Sequence, residues 1–185
     1  MNVIVDLRNV CLETDRLFIR EWKLKDLEDF YEYAKVDGVG QMAGWNPHTS
    51  KEESKEILYS FIEGKSEFAI ELKENNKVVG SVGLNEIFID LGEPYTDLKG
   101  REIGYVLSKK YWGKGIMSEA VKRVIQFCFV EEKFDFLQCS HSIENNQSKR
   151  VIEKCGFTFI KEHTRKGTNE VEHISKFYVL NNLQH

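Results

Sequence analysis

The sequence predicts an α/β fold of the mixed α+β kind, with a central sheet of about seven strands and helices on both faces. Three observations lead there. Apolar residues alternate with period two in a series of short runs and recur at helical spacing in longer ones. Consecutive strands in the middle of the chain are joined by short turns, which demands antiparallel pairing, whereas other strands are separated by helices, which demands crossovers. The 185 residues are 41% hydrophobic and 30% charged, with only 2 Pro and no composition break that would mark a linker. Residues 1–185 are therefore read as one domain with its own core.

In chain order, residues 17–20 read as a first strand. Asp26 then opens a helix in which Leu27, Phe30, Tyr31 and Ala34 share a face. A loop with Gly and Asn, residues 37–46, is closed by Pro47. Ser50 and Glu53 form a capping-box pair before a second helix carrying Ile57, Leu58, Phe61 and Ile62. Residues 68–72 and 78–84 flank Asn75-Asn76 as a hairpin. After a polar loop around Pro94, residues 101–107 form a strand. Gly113 and Gly115 punctuate the entry to a long helix with Met117, Val121, Val124 and Cys128 on one face. Residues 136–140 are a strand, and residues 148–154 a helix ended by Gly156 as a left-handed cap. Residues 157–161 and 175–180 supply the last strands.

Composition excludes several classes. No apolar run approaches the roughly 18 residues of a membrane helix. Asp6, Arg8 and Asn9 interrupt the opening stretch, so no secretory core is expected and the location is expected to be cytoplasmic. Cys11, Cys128, Cys139 and Cys155 are far apart with no CxxC pair, against both a disulfide framework and a metal site. A net charge of −4 speaks against nucleic acid as a partner and is compatible with cationic amines.

The densest chemistry lies in Tyr111-Trp112-Gly113-Lys114-Gly115-Ile116-Met117-Ser118. Two glycines between a strand and a helix leave unpaired N–H groups at the positive end of the helix dipole, a setting that suits phosphate. A P-loop would need Ser or Thr after Lys114, where Gly115 stands. A dinucleotide fingerprint would need a third glycine at Ser118 and an acid at the end of a second strand, but Glu131 and Glu132 fall at a helix end. Two readings remain open: a diphosphate grip, or glycines that only permit a tight strand-to-helix turn.

Three blocks tip the balance. They are Leu12-Glu13-Thr14-Asp15-Arg16-Leu17-Phe18-Ile19-Arg20, the strand from Arg101 to Leu107 running into Lys110-Tyr111-Trp112-Gly113-Lys114-Gly115, and Asn145-Asn146-Gln147-Ser148 through Gly156-Phe157. In order and spacing they resemble the RimJ/RimL-type branch of the GNAT superfamily of N-acetyltransferases, over nearly the whole chain. The glycine turn resembles that family's (Gln/Arg)-x-x-Gly-x-(Gly/Ala) loop, with Lys110 in place of the usual first residue. The resemblance implies a sheet splayed between its fourth and fifth strands, with the pantetheine arm of acetyl-CoA in the gap. It places Val106 and Leu107 on the pantetheine, with a backbone N–H near Val106 polarising the thioester carbonyl. The amides of Trp112, Gly113, Lys114, Gly115, Ile116 and Met117 would meet the pyrophosphate. Asn145 and Ser148 match a polar pair beside the sulfur, although Ser148 also reads as a helix N-cap. No metal is implied, and a homodimer is an expectation by analogy.

The implied reaction is transfer of acetyl to a primary amine, either a protein N-terminus or a small molecule, by direct attack in a ternary complex. A lysine-like amine is neutral in about one part in 10³ at pH 7, a cost of about 4–5 kcal/mol, whereas an α-amine costs about 1 kcal/mol. A base is therefore expected. Glu102, on the strand beside the thioester, is the first candidate, and Glu86 the second. An exposed strand-end carboxylate is the alternative for Glu102. His48 and Trp45 are candidates to meet the acceptor from their loop. Many family members carry a tyrosine acid four residues before the Gly-Phe glycine. Here that position is Ile152, so Ser148 or water supplies the proton. An acyl-CoA-binding regulatory module without catalysis, and a nucleotide hydrolase built on the glycine turn, are the competing classes.

Overall fold

The computed structural model describes residues 2–166 and 172–183. The chain forms β1 (Cys11–Glu13), β2 (Leu17–Glu21), α1 (Leu27–Ala34), α2 (Lys51–Gly64), β3 (Glu67–Leu72), β4 (Lys77–Asn85), β5 (Gly100–Leu107), α3 (Ile116–Gln126), β6 (Phe136–Ser142), α4 (Asn146–Lys154), β7 (Thr158–Lys166) and β8 (Glu172–Asn181). The strands form one 8-stranded sheet in the order β1-β2-β3-β4-β5-β6-β8-β7. The strand beyond the expected set is β1, three residues long. It is too short to show an alternation of its own and is defined only by its pairing with β2.

The order-determining contact is the parallel ladder between strands β5 and β6. β5 and β6 pair at Gly100↔Phe136, Arg101↔Leu137 and Glu102↔Gln138, and there the ladder stops. Beyond it β5 stays bonded to β4 as far as Leu107, and β6 stays bonded to β8 as far as Ser142. The sheet therefore parts between strands that are each held on their outer side. Gly100 closes the pointed end, because a Cβ there would come within 2.6 Å of the Phe136 ring.

Side-chain alternation assigns the two faces. Under α3, Met117, Val121 and Val124 pack with Ile70, Val82 and Ile103. Under α1 and α2, Phe30, Tyr33 and Leu58 pack with Ala69 and Val78. Each such burial stabilises by about 1.5–3 kcal/mol. A third cluster joins Ile87, Leu91 and Tyr95 of the β4–β5 loop to Phe136. Cys128 lies in a π-helical turn, Phe127–Glu131, that continues α3.

Local signals behave as their chemistry requires, with three adjustments. Gly156 has φ +86° and Asn76 φ +57°, as a left-handed cap and a tight hairpin turn need. Ser50 Oγ accepts the Glu53 N–H at 3.1 Å, but the Glu53 carboxylate takes the Thr49 N–H (2.7 Å) instead of that of Ser50. Asp26 makes no side-chain cap for α1. Its carboxylate instead holds Arg20 (2.8 Å) and the Lys23 N–H (2.9 Å). The N-cap of α4 is Asn145, whose Oδ1 accepts the Ser148 N–H at 3.0 Å, so Ser148 is not the cap but sits inside the first turn.

Candidate active site

Gly113 (φ +74°) and Gly115 (φ +76°) both lie in the left-handed region, which is where glycine is required. The space a Cβ would take is open at Gly113, and at Gly115 its nearest neighbour would be Arg16 Nη2 at 3.7 Å. The first bond of α3 runs from the Glu119 N–H to the Gly115 carbonyl (3.1 Å), and no side chain caps the helix. The amides ahead of Glu119 are thus the uncommitted donors of a helix start, beside an opening with room for an anion. Ile116 and Met117 bury their side chains in the core, so only their backbone faces this opening. Of the nearby lysines, Lys110 pairs with Glu32 (2.6 Å) and Lys109 reaches the Asp37 carbonyl (3.1 Å).

A side chain with no site role in the sequence expectations braces this turn. Arg16 donates to the Lys114 carbonyl (3.1 Å) and pairs with Glu119 (2.6 Å). Thr14 Oγ1 also donates to Glu119 (2.5 Å). Burial works to raise the Glu119 pKa, but the hydrogen bonds from Thr14 and Arg16 outweigh it and hold the carboxyl below its usual range.

Ladder parity decides which backbone groups face the gap. The Ser108 N–H bonds to the Val79 carbonyl at 2.8 Å, in register with Ser81↔Val106. In an antiparallel pair such bonds alternate, so Val106, Gly104 and Glu102 exchange theirs with β4, while Ile103, Tyr105 and Leu107 turn theirs toward the gap. The N–H groups near Val106 that point to the gap are those of Tyr105 and Leu107. The Leu107 carbonyl is occupied by the Trp112 indole N–H (2.8 Å), which ties the end of β5 to the glycine turn.

The candidate catalytic residues lie on opposite faces of β5. On the α3 side, the Tyr105 hydroxyl is 2.8 Å from Ser148 Oγ and donates to the Ser148 carbonyl at 3.1 Å. Burial pushes the Tyr105 pKa well above its usual value, so the phenol keeps its proton. Ile152 is 1% exposed, a core residue with no part in proton transfer. Asn145 Nδ2 donates to the Met42 carbonyl (3.3 Å), linking the start of α4 to the loop before α2. On the other face, Glu102 is 5% exposed and stands at the last rung before the strands part. Ser140 Oγ donates to its Oε1 at 2.7 Å. Beside it Gln138 is fully buried, and neither end of its amide has a partner among the described residues.

Two acceptor candidates are placed elsewhere. His48 is buried, its Nδ1 2.7 Å from Ser54 Oγ and its ring against Phe30 and Trp45, so it braces the loop instead of facing an acceptor. Its pKa is lowered by burial. Glu86 is exposed and lies 3.8 Å from Arg101, which by alternation points to the face opposite Glu102. Trp45 is half-buried with its ring over Gly40, where a Cβ would overlap it. Glu67, also without a site role in the sequence expectations, shares the Glu102 face. Among the described residues, no group of three or more His, Cys, Asp or Glu side chains could hold a metal ion, and no helix is long and apolar enough to cross a membrane.

The β5–β6 ladder thus parts beside an uncapped glycine turn at the start of α3. Residues 16–158 match the family model described as "Acetyltransferase (GNAT) domain", and the chain belongs to that family of acetyltransferases. It is 28% identical over 151 residues to a Bacillus licheniformis protein named "Uncharacterized N-acetyltransferase p20", covering 79% of this chain and 81% of the relative. A solved GNAT-family acetyltransferase from Bacillus anthracis superposes with a TM-score of 0.80 at 26% identity, covering 94% of this chain and 99% of that one. A ribosomal-protein-S5-alanine acetyltransferase from Vibrio fischeri shares the fold, with a TM-score of 0.73 at 22% identity over 95% of this chain and 98% of that one.

Proposed function

We propose that the protein transfers acetyl from acetyl-CoA to a primary amine, either a protein N-terminal α-amine or a small-molecule amine, by direct attack in a ternary complex. The observation that carries this reading is the β5–β6 gap opening toward the uncapped turn at Gly113 and Gly115. Acetyl-CoA supplies an activated acyl carbon. The Trp112 N–H is taken by the Lys109 carbonyl (3.3 Å), so the amides from Gly113 to Met117 hold its diphosphate, and the Tyr105 and Leu107 N–H groups pair with the arm beside Val106 and steady the carbonyl oxygen. Asn145 and Ser148 flank the sulfur, and Ser148, backed by the Tyr105 hydroxyl, delivers a proton to it. Glu102 meets the acceptor from the opposite face. A ribosomal-protein acceptor, of the kind named for the Vibrio fischeri protein, falls within this class.

Release of CoA from acetyl-CoA over an amine panel tests the reading. Amine-dependent release is expected, and Glu102→Gln is expected to reduce it about tenfold or more with coenzyme affinity little changed. Binding of acetyl-CoA without turnover on any amine would favour the regulatory-module alternative, which Ile152 motivates. Stabilisation by ATP but not by acetyl-CoA in a thermal shift would favour a nucleotide site.

A further inference from the structure

We propose that the acceptor's proton ends on Glu67, a carboxyl seated over Gly83 on the same sheet face as Glu102. The proposal rests on the acetyl-transfer reading and assigns a residue to it.

The register places this group. Glu67 on β3 is opposite Gly83 on β4, and Gly83 is opposite Gly104 on β5. Asn85 is opposite Glu102, which pairs in turn with Gln138. By alternation Glu67, Gly83, Asn85, Gly104 and Glu102 all face the α1–α2 side, at the end of the gap away from the glycine turn. The two glycines are what make room there. A Cβ on Gly83 would overlap the Glu67 carboxylate, and a Cβ on Gly104 would stand 2.8 Å from Asn85 Nδ2. Neither glycine has a positive φ, so their missing side chains serve space, not backbone conformation. Glu67 and Asn85 fill that space, and Asn85 lies between the two carboxyls.

The Glu67 residue is half-buried as a whole, but its carboxyl is turned inward over the sheet. Burial raises its pKa to about 7, against a hydrogen bond from Ser81 that works to lower it. That value suits a group that must take up and release a proton near neutrality. The charged and titratable groups around it are few. Tyr33 of α1 is close enough to feel its charge. Glu71 on its own strand is already bound to Arg20, which also holds Asp26. Glu102 lies beyond Asn85. Arg8, Glu21 and Lys65 share a cavity of about 140 Å³ at its outer side.

The step balances simply. The acceptor ammonium gives one proton through water to the Glu67 carboxylate, and the freed lone pair forms the C–N bond. As the C–S bond breaks, the departing sulfur takes a proton from the Ser148 hydroxyl, and the second proton that the nitrogen sheds on becoming an amide passes through water to restore that hydroxyl. Glu67 then returns its proton to solvent.

Amine-dependent CoA release is compared across pH for wild type, Glu67→Gln and Gly83→Ala, with acetyl-CoA affinity as the check on folding. Gly83→Ala keeps every ionisable group and displaces chiefly the Glu67 carboxyl, with the Asn85 amide 3.3 Å from the new Cβ. In wild type kcat/KM is expected to rise with a midpoint near 7. Glu67→Gln is expected to lose that limb and about tenfold or more in rate at equal coenzyme affinity, and Gly83→Ala to shift the midpoint. A wild type that turns over beside variants with its rate and profile overturns the proposal alone. A wild type that binds acetyl-CoA and acetylates no amine removes both the proposal and the acetyl-transfer reading.

Discussion

At the scale of single residues, two positions concentrate the chemistry. Gly115 combines φ +76° with a place among uncommitted amides. Gly115→Asp adds both backbone strain and a negative charge where a diphosphate would sit. It is expected to weaken acetyl-CoA binding about tenfold or more in a calorimetric titration; unchanged affinity would take Gly115 out of the site. Glu67 makes a stability prediction independent of turnover. Its pKa is raised from 4.5 to about 7 in the folded protein. Between those values the folded chain holds a proton that the unfolded chain has released. The contribution is therefore full below about pH 4.5 and lost as pH rises through 7, at most about 3 kcal/mol. Glu67→Gln is expected to melt higher than wild type at about pH 8, with the margin shrinking toward pH 5. A constant or reversed margin would contradict a buried carboxyl there. Neither the Glu67–Gly83 contact nor the Arg16–Glu119 pair has a local signature, because their partners stand 16 and 103 positions apart.

At the scale of elements, the legible features were those with a local physical cause. Gly156 and Asn76 announce left-handed turns, and the spacing of Met117, Val121 and Val124 announces a buried helix face. Boundaries were less legible where two residues could serve one purpose. Asn145 and Ser148 are both good caps, and the chain uses the first. His48 reads as an exposed loop residue until Ser54, six positions later on α2, buries it. The β2–β3 edge is held by a similar long-range device: Arg20, buried between Asp26 and Glu71. Burial alone would lower the Arg20 pKa, but its hydrogen bonds to Asp26 and Glu71 outweigh this and raise it. Arg20→Leu strands two carboxylates and is expected to cost about 3–5 kcal/mol in denaturant unfolding. A loss below about 1 kcal/mol would show that the pair is not load-sharing in this way.

At the scale of the whole molecule, the sheet order and the opening between β5 and β6 follow from a few long-range pairings. The sequence carried the strands and the glycine turn. It did not carry which backbone groups face the gap or which carboxyls share its face, since parity and register exist only once strands pair. Tyr105 illustrates this: its hydroxyl meets Ser148 only because β5 and α4 lie side by side, 43 positions apart. Glu86 and Glu102 are told apart in the same way, by the face each turns to. The most direct test of the account is a crystal structure with acetyl-CoA bound. The account predicts the diphosphate on the amides from Gly113 to Met117 and the acyl arm between β5 and β6, with its carbonyl near the Tyr105 or Leu107 N–H. Coenzyme bound elsewhere, or a β5–β6 ladder that continues past Glu102, would contradict it.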